Sequence, residues 1–471
     1  MLDLSGKMGL FREAAKRAAE AVRSAKSVTV ISHIDADGIT AGSIASMTLE
    51  RLGIEHTVRY ENKITEEVID FVNSNEDDLL WICDLGSGYL PEFDKDKLLI
   101  TDHHIPNLGS KRKQTTLYDF ISLFHVNPHL FGMDGSIEIS GAGVTYLVSK
   151  NVDPKNIDLA YLALVGAVGD FQDSREAGLV SLNRTIVNDA MISGEVVPEM
   201  DLRLFGRETR GLVQFLQYSN DPELPGLTNS PRGCLKFYSD LDIPLTRGGK
   251  DRVWNDLSVD EKDRATDKLI ELLYGTGDEE RLYGEVYTLP GFDKGTGLRD
   301  AKEFATLLNS CGRYEDAETG MRICCGDRSA LKDAEKNRTV HRKNISGALT
   351  YINENHLMRE GRFIQHFDAS DKIKDTVVGI VAGMLLNSSS ANRWLPIIAF
   401  ADADDGVKVS ARADRSLVDR GLNLSIVMKK AAELVGGFGG GHSVAAGATI
   451  PHDKKEEFLG IVEDLISCQI I

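Results

Sequence analysis

Cysteine, aromatic side chains and positive charge are all scarce in this sequence, and each shortage excludes something. The six cysteines, at 83, 234, 311, 324, 325 and 468, have none of the paired spacings of a zinc site. Cys324 and Cys325 are adjacent and poorly placed to form a disulfide, so reduced structural thiols are expected. No apolar run approaches the roughly 20 residues that cross a bilayer. The amino-terminal stretch MLDLSGKMGLFREAAKRAAEAVRSAKS lacks the apolar centre of a signal peptide and reads as an amphipathic helix, so a cytoplasmic location is expected. Aromatics make up 7% of the chain, and no base-stacking platform can be placed from the sequence. Lys and Arg number 54 against 72 Asp and Glu, for a net charge of −18. That excludes a general coat for duplex nucleic acid, which works by neutralising many phosphates. A phosphate-bearing substrate would need a local basic patch or bound cations.

What is present is the composition of a globular protein, 42% apolar and 27% charged over 471 residues, long enough for two or three domains. The stretch VTVISHIDADGIT, residues 28–40, joins a short apolar strand (Val28 to Ile31) to a helix beginning at Ile39. Between them His33, Asp35 and Asp37 fall at every second residue and stop at Gly38. If the strand end stays extended, the three side chains can converge on one cation. The plainer alternative is a polar turn in which Asp37 caps the helix. Further strands are predicted at 55–60, 79–83 and 98–100, separated by helical stretches at 39–52 and 66–73. Two of them end at Asp84-Leu85-Gly86 and at Thr101-Asp102-His103-His104, and a helix over 157–168 ends at Gly169-Asp170. The alternation predicts an α/β fold with a doubly wound parallel sheet. Three acidic or histidine strand endings in the first quarter of the chain suggest a shared site.

Carboxylates with a few imidazoles suit Mn²⁺ or Mg²⁺ better than Zn²⁺. There are more carboxylates than one cation needs, which points to two ions, an arrangement that stabilises the attacking and leaving oxygens of a phosphoryl displacement. No side chain need then attack phosphorus. Unrelated caps and turns are the competing explanation. Asp173 reads as a solvated or capping residue, and His125 and His129, in FHVNPHLFG, as satisfied loop histidines.

HIDADG (33–38), CDLGSG (83–88), TDHH (101–104) and VGD (168–170) resemble the motifs of the DHH phosphoesterase superfamily, and in particular its archaeal RecJ-like exonucleases. KVSAR (408–412), DRGLNL (419–424) and GGFGGGHSVAAGATIP (436–451) resemble the DHHA1 domain of those enzymes. YSNDPELPGLT (218–228) and LRDAKEFATLLNSCGR (298–313) are similar to the archaeal branch, so the resemblance spans nearly the whole chain. It implies a DHH catalytic domain over 1–195, a mostly helical linker or insert over 196–340 and a smaller α/β DHHA1 domain over 341–471. It implies His33, Asp35, Asp37, Asp84, His103 and Asp170 as metal ligands, with Asp84 as the bridge. His104 would reach the scissile phosphate, and Asp102 would orient its histidine neighbours. The implied activity is metal-dependent 5′-to-3′ digestion of single-stranded DNA, with RNA a further substrate, in replication or repair. Archaeal relatives associate with the GINS replication complex, and residues 200–340 are the candidate docking region.

Six basic residues lie between Val407 and Ala431 (Lys408, Arg412, Arg415, Arg420, Lys429 and Lys430) against Asp414 and Asp419. Glycine lets backbone N–H groups approach phosphate closely, so Gly439, Gly440 and Gly441 with His442 are expected to form a phosphate cradle. Arg412 would grip the same phosphate, and Asn127 is a further candidate substrate contact. Basic DHHA1 facing the metals across a cleft would favour a single strand over a duplex. The alternatives are a DHH phosphodiesterase for short oligonucleotides or cyclic dinucleotides, and a binding module of a replication complex with little activity. A family II pyrophosphatase fits less well, because its first motif sets carboxylates four and six residues after the histidine. Here they follow His33 by two and four.

Overall fold

The computed structural model describes residues 4–94, 97–108, 124–174, 176–219, 221–276, 278–388 and 391–469. They form two compact units, one of residues 1–219 with 224–338, the other of 339–471 with the short piece 220–223.

In the first unit α1 (Leu4–Ser24), β1 (Ser27–His33), α2 (Ala36–Leu52), β2 (Glu55–Glu61), α3 (Glu66–Ser74), β3 (Leu79–Cys83), β4 (Leu98–Thr101) and β5 (His125–Val126) follow in order. The strands make one sheet, β2-β1-β3-β4-β5, parallel throughout. β3 is apolar end to end because both its faces are covered. Its Leu79, Trp81 and Cys83 pack with α1, α2, α4 (Gly141–Val152) and α5 (Ala160–Gly169) on one side. Its Leu80 and Ile82 pack with Val68 and Val72 of α3 on the other. The predicted doubly wound sheet is therefore present. α6 (Ser181–Ile192) completes the first layer.

β6 (Val197–Leu202) and β9 (Tyr283–Thr288) pair antiparallel, and between them lies a helical module with the small hairpin of β7 (Thr246–Arg247) and β8 (Lys250–Asp251). The module has its own apolar centre, in which Trp254 stacks on Phe215 at 5.2 Å between ring centroids. Arg207, 1% exposed, joins the module to its surroundings, donating to Asp300 (3.0 Å), Glu199 (2.9 Å) and Asp201 (3.0 Å). Asp300 caps helix Ala301–Arg313, which returns to the main core through Phe304, Leu307 and Leu308. Helix Leu331–Glu354 follows, with Leu331 and Ala334 packed into that same core.

The second unit is a sheet of order β10-β11-β12-β13-β15-β14, from β10 (Arg359–Glu360), β11 (Gln365–Asp368), β12 (Ile397–Ala403), β13 (Gly406–Arg412), β14 (Phe438–Gly441) and β15 (Ala445–Ile450). Alternate residues of β12 feed two cores. Ile398 and Phe400 pack towards helices Leu424–Leu434 and Lys455–Gln469, Ile397 and Ala399 towards helix Asp375–Leu386. Among the described residues no helix is long and apolar enough to cross a membrane.

Candidate metal centre

β1 and β3 are neighbours at the point where the strand order reverses, the place where open α/β sheets hold ligands. Their carboxyl ends release His33 and Asp84 side by side. His33 Nδ1 lies 2.9 Å from Asp35 Oδ2 and 3.5 Å from Asp84 Oδ2. His103 Nε2 lies 3.3 Å from Asp84 Oδ1 and 3.8 Å from both Asp37 Oδ2 and Asp170 Oδ2. His104 Nδ1 is 2.8 Å from Asp102 Oδ1 and 3.9 Å from Asp84 Oδ1. The eight residues thus gather in one place, and Asp84 stands within 4 Å of all three imidazoles.

Local structure explains each position. Asp35 caps α2, its Oδ1 accepting from the Gly38 amide at 2.9 Å. The cap expected at Asp37 is therefore at Asp35, so one residue serves both the turn and the candidate cation site. Asp37, in the first turn of α2, instead accepts from the amides of Gly141 (2.7 Å) and Ala142 (3.0 Å). These open α4, whose positive end favours a carboxylate. Asp84 has φ of +58°, a left-handed conformation costing a non-glycine residue about 1–3 kcal/mol. Its amide donates to Thr101 O (2.8 Å), tying it to the end of β4. Asp102 accepts from the amides of Ser87 (2.9 Å), His103 (2.7 Å) and His104 (3.1 Å). His103 Nδ1 donates to Gly135 O at 2.7 Å, which turns Nε2 towards the carboxylates.

The cluster is electrostatically unfinished. Burial and the charges of Asp84, Asp170 and Asp35 hold the Asp37 carboxyl well above the usual range. Burial with Asp84 and Asp35 pushes Asp170 up to about 6. Burial alone would strip protons from His33 and His103, but Asp35 and Asp84 around the first, and Asp170, Asp84 and Asp37 around the second, raise both. His104 is raised in the same way against burial, chiefly by Asp102. Asp102 itself is held well below the usual carboxylate range by His104, against burial. Asp84 is 1% exposed, and its buried Oδ1 has no hydrogen-bond partner. A group of carboxylates that draws in protons to offset its own charge is one that divalent cations suit better. The donor atoms of His33, Asp35 and Asp84 lie within 4.8 Å of one another, as do those of Asp37, Asp84 and His103.

Three expectations need correction. Asn127 does not face a substrate. It is fully buried, its Nδ2 donating to Ser87 Oγ and His104 O (both 2.8 Å) and its Oδ1 accepting from the His129 amide (2.9 Å). Asp173 is not solvated: it is 8% exposed and takes an Arg203 Nη2 bond at 2.7 Å on Oδ2. His125 lies on β5 rather than in a loop, buried with its Nε2 2.8 Å from Ser87 Oγ. Other supporting residues carry no motif in the sequence. Gln172 Nε2 donates to Asp170 Oδ2 at 3.0 Å and is itself held by Asn183 at 2.6 Å. Asn309 Oδ1 accepts from the Ala36 amide at 2.9 Å. A Cβ on Gly312 would sit 1.6 Å from Ile34 O, so glycine is what lets helix Ala301–Arg313 reach the first turn.

In the second unit Lys408 and Arg412 alternate on β13 with buried Val407, Val409 and Ala411. Arg412 lies under Gly379, where a Cβ would meet its Nη2 at 2.8 Å. The expected glycine cradle is not a loop. Gly439, Gly440 and Gly441 form strand β14, pairing with Ala448, Gly447 and Ala446 of β15, and the His442 amide closes the turn on Ala445 O at 2.8 Å. β14 is the edge strand of its sheet, so a backbone edge of glycines stands where the phosphate cradle was expected.

Residues 204–281 match the DHH-CID domain model and residues 362–467 the DHHA1 domain model. The first stretch coincides with the module centred on Trp254. The uncharacterized protein MJ0831 of Methanocaldococcus jannaschii is 30% identical over 449 residues, covering 94% of each chain. RecJ of Thermus thermophilus, solved in complex with Mn²⁺, aligns with 97% of this chain at 17% identity and a TM-score of 0.57. The alignment covers 55% of that RecJ chain, so this protein spans about half its length. CDC45 of Entamoeba histolytica aligns with 98% of this chain and 99% of its own, at 14% identity and a TM-score of 0.59.

Proposed function

The chain belongs to the DHH superfamily and has a RecJ-like fold, and on that premise we propose that it is a divalent-metal-dependent phosphodiesterase, an exonuclease that digests single-stranded DNA, and RNA, from the 5′ end. The observation that carries this reading is Asp84. This strained, buried carboxylate is shared by two sets of oxygen and nitrogen donors, and its Oδ1, 3.3 Å from His103 Nε2, makes no well-formed hydrogen bond. Two Mn²⁺ or Mg²⁺ ions fit the donor chemistry, with His33 and Asp35 on one side of Asp84 and Asp37, His103 and Asp170 on the other.

When bound, such ions supply charge neutralisation at phosphorus and an activated water. The chain's own residues do the rest. The amides of Gly141 and Ala142 fix Asp37. Gly135 fixes the His103 ring, and Gln172 fixes Asp170. His104, 37% exposed and braced by Asp102, is the imidazole able to approach a phosphate and hold a proton at its ring nitrogen. In the second unit, Lys408, Arg412 and the backbone of β14 offer cationic and N–H contacts to a nucleic-acid backbone.

The test is digestion of end-labelled single-stranded DNA and RNA with Mn²⁺, Mg²⁺ or EDTA, comparing wild type with Asp84→Ala. Metal-dependent release of mononucleotides by the wild type alone is the expected result. Activity in EDTA, or an active Asp84→Ala protein, would overturn the reading. Hydrolysis confined to di- and trinucleotides would favour a short-oligonucleotide phosphodiesterase, and strand binding without hydrolysis a binding module.

A further inference from the structure

α5 ends in a Schellman turn. The Phe171 amide donates to Val168 O (3.1 Å) and the Gln172 amide to Ala167 O (3.0 Å). In that turn the residue after the cap is left-handed, and glycine is the usual occupant because a side chain there is strained. Here the occupant is Phe171, with φ of +58°. The strain gains no burial in return, since Phe171 is 69% exposed. An aromatic ring that is strained and wetted contributes nothing to stability, so packing does not explain it.

Its setting is firm. Asp170, directly before it, is braced by Gln172. Two residues on, Arg203 Nη2 donates to both Asp173 O (2.8 Å) and Asp173 Oδ2 (2.7 Å). The Ser174 hydroxyl donates to Phe171 O itself at 2.7 Å. A rigid turn thus presents an exposed phenyl ring one residue from a carboxylate of the metal cluster. Ile105, directly after His104, is 57% exposed, so apolar surface borders the cluster at two of its motifs.

We propose that Phe171 is a substrate-binding residue on which a nucleobase stacks, the base belonging to a nucleotide next to the scissile phosphate. This rests on the nuclease reading above and supplies the aromatic contact that the composition left unplaced. A phenyl face accepts any base, which suits a strand bound without regard to sequence.

The variants are Phe171→Gly, Phe171→Ala and Phe171→Tyr, assayed in the full-length protein for melting temperature, for oligothymidylate binding in EDTA by fluorescence anisotropy, and for Mn²⁺-supported hydrolysis. Phe171→Gly is expected to melt at a higher temperature than wild type while binding the strand about tenfold or more weakly. KM should rise and kcat stay close to wild type, and Tyr should restore both. A substrate abasic at its terminal nucleotides should erase the difference between wild type and Phe171→Gly. Wild-type affinity and KM in Phe171→Gly, failure of Tyr to restore them, or an equal loss on the abasic strand would each overturn the proposal. A wild type that binds the strand without cutting it would sink the nuclease reading alone, because the anisotropy comparison still decides the role of Phe171. A wild type that binds no strand sinks both.

Discussion

Asp84 and Gly141 approach so closely that a methyl group on Gly141 would lie 2.4 Å from Asp84 Oδ1. The residue opening α4 must therefore be bare, and Gly141→Ala pushes the central carboxylate out of place. Overpacking of this kind costs about 1–3 kcal/mol. The expected outcome is a lower melting temperature together with weaker Mn²⁺ binding, read by calorimetric titration. Unchanged Mn²⁺ affinity would mean that Asp84 holds no cation.

Without cations the buried carboxylates repel one another, so removing one charge relieves the apoprotein. Asp84→Asn should melt higher than wild type in EDTA. In Mn²⁺ the order should invert, because a ligand at 100 times its Kd stabilises the native state by about 2.7 kcal/mol. A thermal melt of both proteins in both buffers reads the crossing. Parallel shifts would contradict the metal centre.

His125 is a buried histidine whose protonated form the fold disfavours. Burial, against the nearby Asp102 charge, pushes its pKa from 6.5 down to about 4. Unfolding exposes it, so between these values the unfolded chain binds more protons than the native one. The stability is present above pH 6.5 and is lost as pH falls towards 4, at a slope approaching about 1.4 kcal/mol per pH unit. Urea unfolding of wild type and His125→Gln across that range should show the slope reduced in the variant.

Buried Arg207 neutralises the buried carboxylates of Asp201 and Asp300 and also reaches the half-exposed Glu199. Arg207→Met leaves buried Asp300 without its cation and Asp201 with Lys262 as its remaining one, and breaking a buried ion pair from one side costs about 3–5 kcal/mol. Denaturant unfolding should show a loss of that order. A loss under about 1 kcal/mol would mean that Lys262 and water compensate the carboxylates without Arg207.

In the second unit Arg412→Ala should weaken single-strand binding while leaving Mn²⁺ affinity as it was. The plot of log K against log salt should flatten by about 0.7 for one phosphate contact removed. A flat response would exclude a backbone contact at Arg412.

The motifs ending in charge were legible because a strand that stops at Asp or His, followed by Gly, has few other uses. The parallel order of the first sheet and the strand-end residues of the cluster came from that pattern, while Asp170, at a helix end, and the division of roles among the eight came with the family resemblance. The braces were not legible. Asn309 and Gly312 act on the first turn from within a helix whose pattern shows only an apolar face, and nothing local marks them. Asn127 misled because a polar residue in a proline-containing loop usually meets water, whereas this one is sealed beneath the His104 backbone. The Gly-rich run misled for the opposite reason. Glycine is depleted in strands, yet here three in a row pair edge to edge with Ala446, Gly447 and Ala448.

The bond from the Ala36 amide to Asn309 joins positions 273 residues apart. A ribosome adding roughly 5–20 residues per second needs about 15–55 seconds to travel from one to the other. During that interval the first turn has emerged without its brace. The nascent chain therefore carries an exposed, half-built acidic loop until Asn309 has been made.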